Sequence, residues 1–179
     1  MLKLILAFVS VVVAVFLVAV AMQPAGYHIE RDVVIAAPPA AVFARVNDPR
    51  AFQEFSPWAK LDPSAKVSFD GPPAGTGAAF HWAGNSEIGE GRMTIVESRP
   101  NDLVRFRLDF VRPMEATAEA AFRMMPQGDQ TRVTWSMNGT NDFIGKAFGL
   151  FMDMDAMVGS QFEQGLADLK ALVEKPAGS

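Results

Sequence analysis

Leu103-Val104-Arg105-Phe106-Arg107-Leu108-Asp109-Phe110, followed after Arg112-Pro113 by Glu115-Ala116-Thr117-Ala118-Glu119-Ala120-Ala121-Phe122-Arg123-Met124, alternates apolar and polar side chains with a period of two. Successive strand residues point to opposite faces, so this pattern predicts two adjacent strands sharing one apolar face. In the first strand the even positions Val104, Phe106, Leu108 and Phe110 form that face, while Arg105, Arg107 and Asp109 point away. In the second, Ala116, Ala118, Ala120, Phe122 and Met124 share it. The row of alanines has two readings. Close packing matches small residues to large ones, so the alanines make room for Phe106 and Phe110; alternatively, they leave a hollow for an apolar ligand under whatever covers the sheet.

Working outward, strand-like runs lie near 66–70, 78–83, 88–97, 103–110, 115–125 and 131–139, joined by turn residues such as Gly71-Pro72-Pro73, Gly84-Asn85 and Pro100-Asn101-Asp102. Short joints between sequential strands predict an antiparallel meander. An earlier strand over Tyr27–Ala36 is followed by helical spacing over 40–46, a second short helical turn over 50–55 and an irregular stretch from Ser56-Pro57-Trp58. From Phe143 to Val173 apolar residues recur at 144, 147, 148, 151, 154, 158, 162, 166, 169 and 172, the one-face pattern of a long amphipathic helix. A sheet with one greasy face needs a cover, and this helix is the element long enough to supply it. The fold class is α+β: a seven-stranded antiparallel sheet curved around a long C-terminal helix.

Leu4 to Met22 holds nineteen residues whose one polar member is Ser10. At about 1.5 Å per residue such a helix covers about 28 Å, close to the roughly 30 Å of bilayer hydrocarbon. The segment 1–23 therefore reads as a single-pass membrane anchor, with 24–26 a breaker-rich linker, 27–174 the folded domain and 175–179 a tail. Ala19-Val20-Ala21 after Lys3 also suits a cleaved secretory signal. Either way the domain is expected outside the cytoplasm, on the membrane or secreted. Sixteen basic against twenty acidic residues give a net charge of −4, which argues against nucleic-acid binding, and the absence of cysteine excludes disulfides, thiolate metal sites and a cysteine nucleophile.

The element order, with Phe55-Ser56-Pro57-Trp58, Gly89-Glu90-Gly91 leading into Met93-Thr94-Ile95, Phe110 before Pro113, Thr131-Arg132-Val133-Thr134-Trp135 and Gly165-Leu166-Ala167-Asp168-Leu169-Lys170, resembles the START-like (SRPBCC) superfamily. Its polyketide cyclase/dehydrase and lipid transport branch is the nearest likeness, over about residues 27–173. The resemblance implies a helix-grip domain with an apolar cavity between sheet and helix, and jobs ranging from lipid carriage to ring closure and dehydration.

Strand parity supplies expected cavity walls: Met93, Ile95, Phe106, Phe110, Ala118, Ala120, Val133, Trp135 and Met137, with Phe80 and Trp82 from an earlier strand. The helix is expected to add Phe148, Phe151, Val158 and Phe162, and it places Asp155 on the apolar stripe. That carboxylate needs a partner or water, so it either pairs with an arginine at the stripe's edge or serves a ligand. His28 and His81 stand far apart, so no metal cluster follows, and no serine sits in a nucleophile context. The favoured expectation is a membrane-tethered binder of a hydrophobic small molecule, lipid or isoprenoid-like, with no cofactor, no metal and no nucleic-acid partner; protein partners are left open. The alternative is a cyclase/dehydrase-like enzyme in which Asp155, Arg92 or Glu90 moves protons. A third is an interaction module whose interior is fully packed.

Overall fold

Seven antiparallel strands run in the order β1-β7-β6-β5-β4-β3-β2 in a computed structural model that describes residues 1–175. They are β1 (Gly26–Ile35), β2 (Lys66–Asp70), β3 (Ala79–Ala83), β4 (Glu90–Arg99), β5 (Leu103–Arg112), β6 (Ala116–Gln127) and β7 (Gln130–Thr140). Register shifts at Glu90/Gly91 and Ile95/Glu97 interrupt the β4–β5 ladder, and bulges of this kind bend a sheet. The helices are α1 (Leu2–Met22), α2 (Pro39–Val46), α3 (Pro49–Phe55), α4 (Pro57–Leu61), α5 (Phe143–Gly149) and α6 (Met154–Val173). Prolines at the first helical positions start α2, α3 and α4, where a missing N–H costs nothing. The expected fold class is confirmed. Of the expected tail at 175–179, residues 176–179 lie outside the described residues.

Cross-strand registry turns the sequence parity into layers. One row of inward residues runs Arg31–Trp135–Phe122–Val104, the next Ile29–Met137–Ala120–Phe106–Ile95, and the next Tyr27–Gly139–Ala118–Leu108–Met93–Phe80. Beyond Arg31, the first row is buried, with Trp135 and Phe122 at its centre. Trp135 lies between Phe122 at 4.6 Å and Phe162 of α6 at 4.3 Å, the latter pair nearly parallel at 7°. Gly165 of α6 lets the helix approach the Trp135 ring. From α3, Phe52 meets Phe80, Phe106, Phe122 and Trp135, and Phe55 packs beside it. Fully burying each such side chain contributes about 1.5–3 kcal/mol. Thus α3 seals the interior with Phe52 touching residues of all three rows.

Two sequence expectations change. The helix expected over 143–173 is broken at 150–153: Asp142 caps α5 by accepting the Gly145 N–H, and Asp153 starts a new helix by accepting the Ala156 N–H at 3.0 Å. A side-chain oxygen at an N-cap satisfies a donor the helix leaves free, so Asp153 competes with helix continuation through Gly149. The stretch after Ser56, expected to be irregular, contains the single turn α4.

The free margin of β1 is occupied by side chains. Lys170 donates to the Val34 carbonyl at 2.6 Å, Arg31 donates to the Glu30 carbonyl at 2.8 Å, and Glu174 accepts the Ala36 N–H at 2.6 Å. At the other end of the chain, α1 stands away from the domain: among its residues only Val20 is buried, and the Phe16 ring stacks on Phe151 at 6.3 Å. Its 21 residues span about 31 Å, and its length and composition suffice to cross a membrane.

Candidate ligand site

The inward face changes character along the strands. Beyond the aromatic row, the β6–β7 wall becomes Met137, Ala120, Gly139, Ala118 and Ala116, while Leu108, Phe110 and Trp82 opposite are only partly buried. Tyr27 and Val158 flank the same end, also half-buried. Gly139 permits this geometry, because a Cβ there would collide with the Tyr27 hydroxyl and ring. Burial raises the Tyr27 phenol above its ordinary pKa of 10.0. At the end of the sheet where α1 joins β1, the inward face thus carries small residues at Gly139, Ala118 and Ala116 beside apolar side chains that are only partly buried.

The sequence-derived cavity candidates separate into three groups. The structure places Phe80, Met93, Ile95, Phe106, Ala118, Ala120, Val133, Trp135, Met137 and Phe162 on the buried face between sheet and helices, with Trp82, Phe110 and Val158 at its half-open margin. Phe148 and Phe151 are 53% and 79% exposed, so neither walls the interior. The broken helix is the cause: α5 and the turn after it swing out toward α1 instead of continuing the α6 stripe. Asp155 is the third case. Its exposed carboxylate receives the Arg31 guanidinium, Nη2 to Oδ2 at 2.9 Å and Nη1 to Oδ1 at 3.1 Å, while Arg31 Nε donates to Glu163 at 2.9 Å.

Arg31 is a residue the strand reading passed over. It occupies the inward parity of β1, with Tyr27, Ile29, Val33 and Ile35, and was the one charged member of that series. Gly159 of α6 makes way for it, since a Cβ there would overlap the guanidinium. The hydrogen bond from Arg31 holds the Asp155 carboxyl below its usual range, and the two carboxylates together raise Arg31 further above its own. Asp155 is therefore an ionised anchor of α6 at neutral pH and has no proton to give.

Arg92 and Glu90 lie on the opposite face of the sheet from Met93. Arg92 donates to Asp70 at 3.1 Å and Arg112 to Glu90 at 2.7 Å. They border a shallow outer concavity of about 430 Å³ with Lys66, Ser68, His81 and Asp109, and a second of about 330 Å³ lies by Asp109, Glu115 and Thr117. Glu90 and Arg92 thus share this outer concavity, which Trp82 also lines, whereas Asp155 stands apart from it at the contact of β1 with α6.

A family model described as polyketide cyclase/dehydrase and lipid transport matches residues 27–174. This chain belongs to that family. The description pairs polyketide cyclisation and dehydration with lipid transport, which supports a hydrophobic-ligand-binding fold. Solved structures similar to this polyketide cyclase/dehydrase and lipid transport domain include a protein from Chromobacterium violaceum, with a TM-score of 0.61 at 17% identity over 83% of this chain and 97% of that one. The Aha1 dimer from Colwellia psychrerythraea superposes with a TM-score of 0.60 at 17% identity, over 85% and 99% of the two chains. DynU16, a protein of the dynemicin biosynthetic locus, gives 0.57 at 17% identity, over 83% of this chain and 47% of its own. Identities this low carry the fold and leave the activity of this family member to its own residues. No curated protein matches the sequence.

Proposed function

We propose that the domain takes up a hydrophobic small molecule, lipid or isoprenoid-like, through the Tyr27–Ala118–Phe110 mouth while α1 holds it on a membrane. The observation that carries this reading is the gradient along the inward face, from sealed aromatic packing around Trp135 to small residues and half-open apolar walls at the α1 end. Apolar compounds are scarce in water, and a domain joined to its anchor by Gln23-Pro24-Ala25 meets them at the high local concentration of the bilayer. The domain faces the non-cytoplasmic side, with Lys3 and the amino terminus inside. The aromatic packing of Phe52, Phe122, Trp135 and Phe162 leaves the occupant the end of the grip lined by Gly139, Ala118 and Ala116. An aliphatic chain seated there removes apolar surface from water at about 25 cal/mol per Å².

Ala118→Phe tests the site. Filling an open mouth leaves the melting temperature nearly unchanged and lowers uptake of a fluorescent fatty-acid probe by full-length protein several-fold. Overpacking a solid core instead costs about 1–3 kcal/mol. Native mass spectrometry of the full-length protein reads the occupant's mass and whether residues 1–23 remain attached. A destabilised variant with unchanged probe uptake, together with an empty native protein, would overturn the proposal in favour of a packed interaction module.

A further inference from the structure

We infer that α5 and the turn after it form a membrane-docking element that seats the mouth of the domain on the lipid surface. The inference rests on α1 spanning a bilayer, as proposed above, and follows from where α1 and α5 touch. Phe16, which stacks on Phe151, lies six residues before the end of α1 at Met22. At 1.5 Å per residue, that is about 9 Å below the end of the span, so Phe151 sits at the depth of the bilayer's interfacial layer or just beneath it. A 79% exposed phenylalanine at that depth is in contact with lipid.

Its neighbours fit the same solvent. Phe143, Ile144, Phe148 and Met152 are each about half exposed, an apolar display that costs free energy in water and gains it in the headgroup–acyl boundary. Between Phe143 and Met152 the single charged residue is Lys146, whose long stem lets its ammonium rise to the phosphates. The occupant is the layer of the same bilayer that α1 crosses, continuous with the α1 surface. Because α5 follows directly on β7, which ends beside Tyr27, docking it brings the half-open mouth against the lipid. An apolar molecule then passes from membrane to mouth without crossing bulk water.

The chain contains no cysteine, so single cysteines carry an environment-sensitive fluorophore to chosen depths without background. Full-length F148C, M152C, V12C and Q127C, each labelled and reconstituted in phosphatidylcholine vesicles, are read by quenching from lipids bearing a spin label high or low on the acyl chain. Docking predicts several-fold stronger quenching at positions 148 and 152 by the high label than at 127, which lies at the far end of β6, and quenching at 12 by the low label. If 12 is quenched while 148 and 152 behave like 127, the docking inference falls and the anchor stands. If 12 is not quenched, the anchor falls and docking falls with it.

Discussion

Tyr27 is the chain's one tyrosine, and its ring closes one side of the proposed mouth. Burial favours the neutral phenol, so its folded pKa lies above 10.0. Since the folded value is the raised one, the stability it contributes is complete below pH 10 and is lost as pH climbs through the folded value. A spectrophotometric titration of phenolate absorbance therefore gives one midpoint above 10.0, and an apolar occupant that dries the mouth moves it higher still. A midpoint at the ordinary value, indifferent to occupancy, would remove Tyr27 from the site. Individual residues were unevenly legible beforehand. Strand parity located Phe106, Ala118 and Trp135 because a period of two is a local property of the chain. Arg31 broke the same parity and was the readable sign of a buried-side clamp, but its partners Asp155 and Glu163 lie more than a hundred residues away, and only the folded register brings them together. Phe52 and Phe55 lie in a stretch whose spacing predicts only a short helical turn, yet both are buried at the centre of the aromatic cluster.

At the scale of elements, the break between α5 and α6 decides what the C-terminal segment does. The apolar spacing from Ile144 to Leu172 is continuous in sequence, and periodicity alone cannot mark a stop inside it. The signal lay in capping chemistry: Asp142 and Asp153 each stand three residues before the N–H they accept. Asp153→Ala removes the α6 cap and is expected to lower stability by about 1 kcal/mol, whereas Asp153→Asn keeps an accepting oxygen and most of that stability. Thermal or urea unfolding of the two variants side by side checks it; equal losses would mean the cap is not what starts α6. The strands were more legible than this helix, because each carries its own turn residues at both ends, while the outward swing of Phe148 and Phe151 depends on contact with α1.

Across the whole molecule, the carboxylates that tie α6 and the loops to the rest share a direction. Asp155 is held low by Arg31, and Asp62 by the Ser64 hydroxyl and the Asn85 N–H. At Asp168 partial burial acts upward but is outweighed by hydrogen bonds from Lys60 and Gln164. Depressed folded values contribute stability that is fully present above the unfolded carboxylate pKa of about 3.8 and lost as pH falls through the lower folded ones. Full-length protein is thus expected to keep its melting temperature from neutral pH to about pH 5 and to lose it progressively below 4. Arg31→Met should flatten part of that acid limb, and an unchanged limb would show that the clamp contributes nothing. The side chains along the margin of β1 have a separate consequence. An open sheet ordinarily offers its outermost strands as templates on which a second chain can crystallise its own backbone. Here Lys170, Arg31 and Glu174 already engage backbone groups of β1 and the residue after it, and the opposite border, β2, is five residues long with a charge at each end. Copies crowded side by side in two dimensions would have to strip those bonds before their sheets could merge, so the architecture guards against fibrous self-association where crowding is greatest.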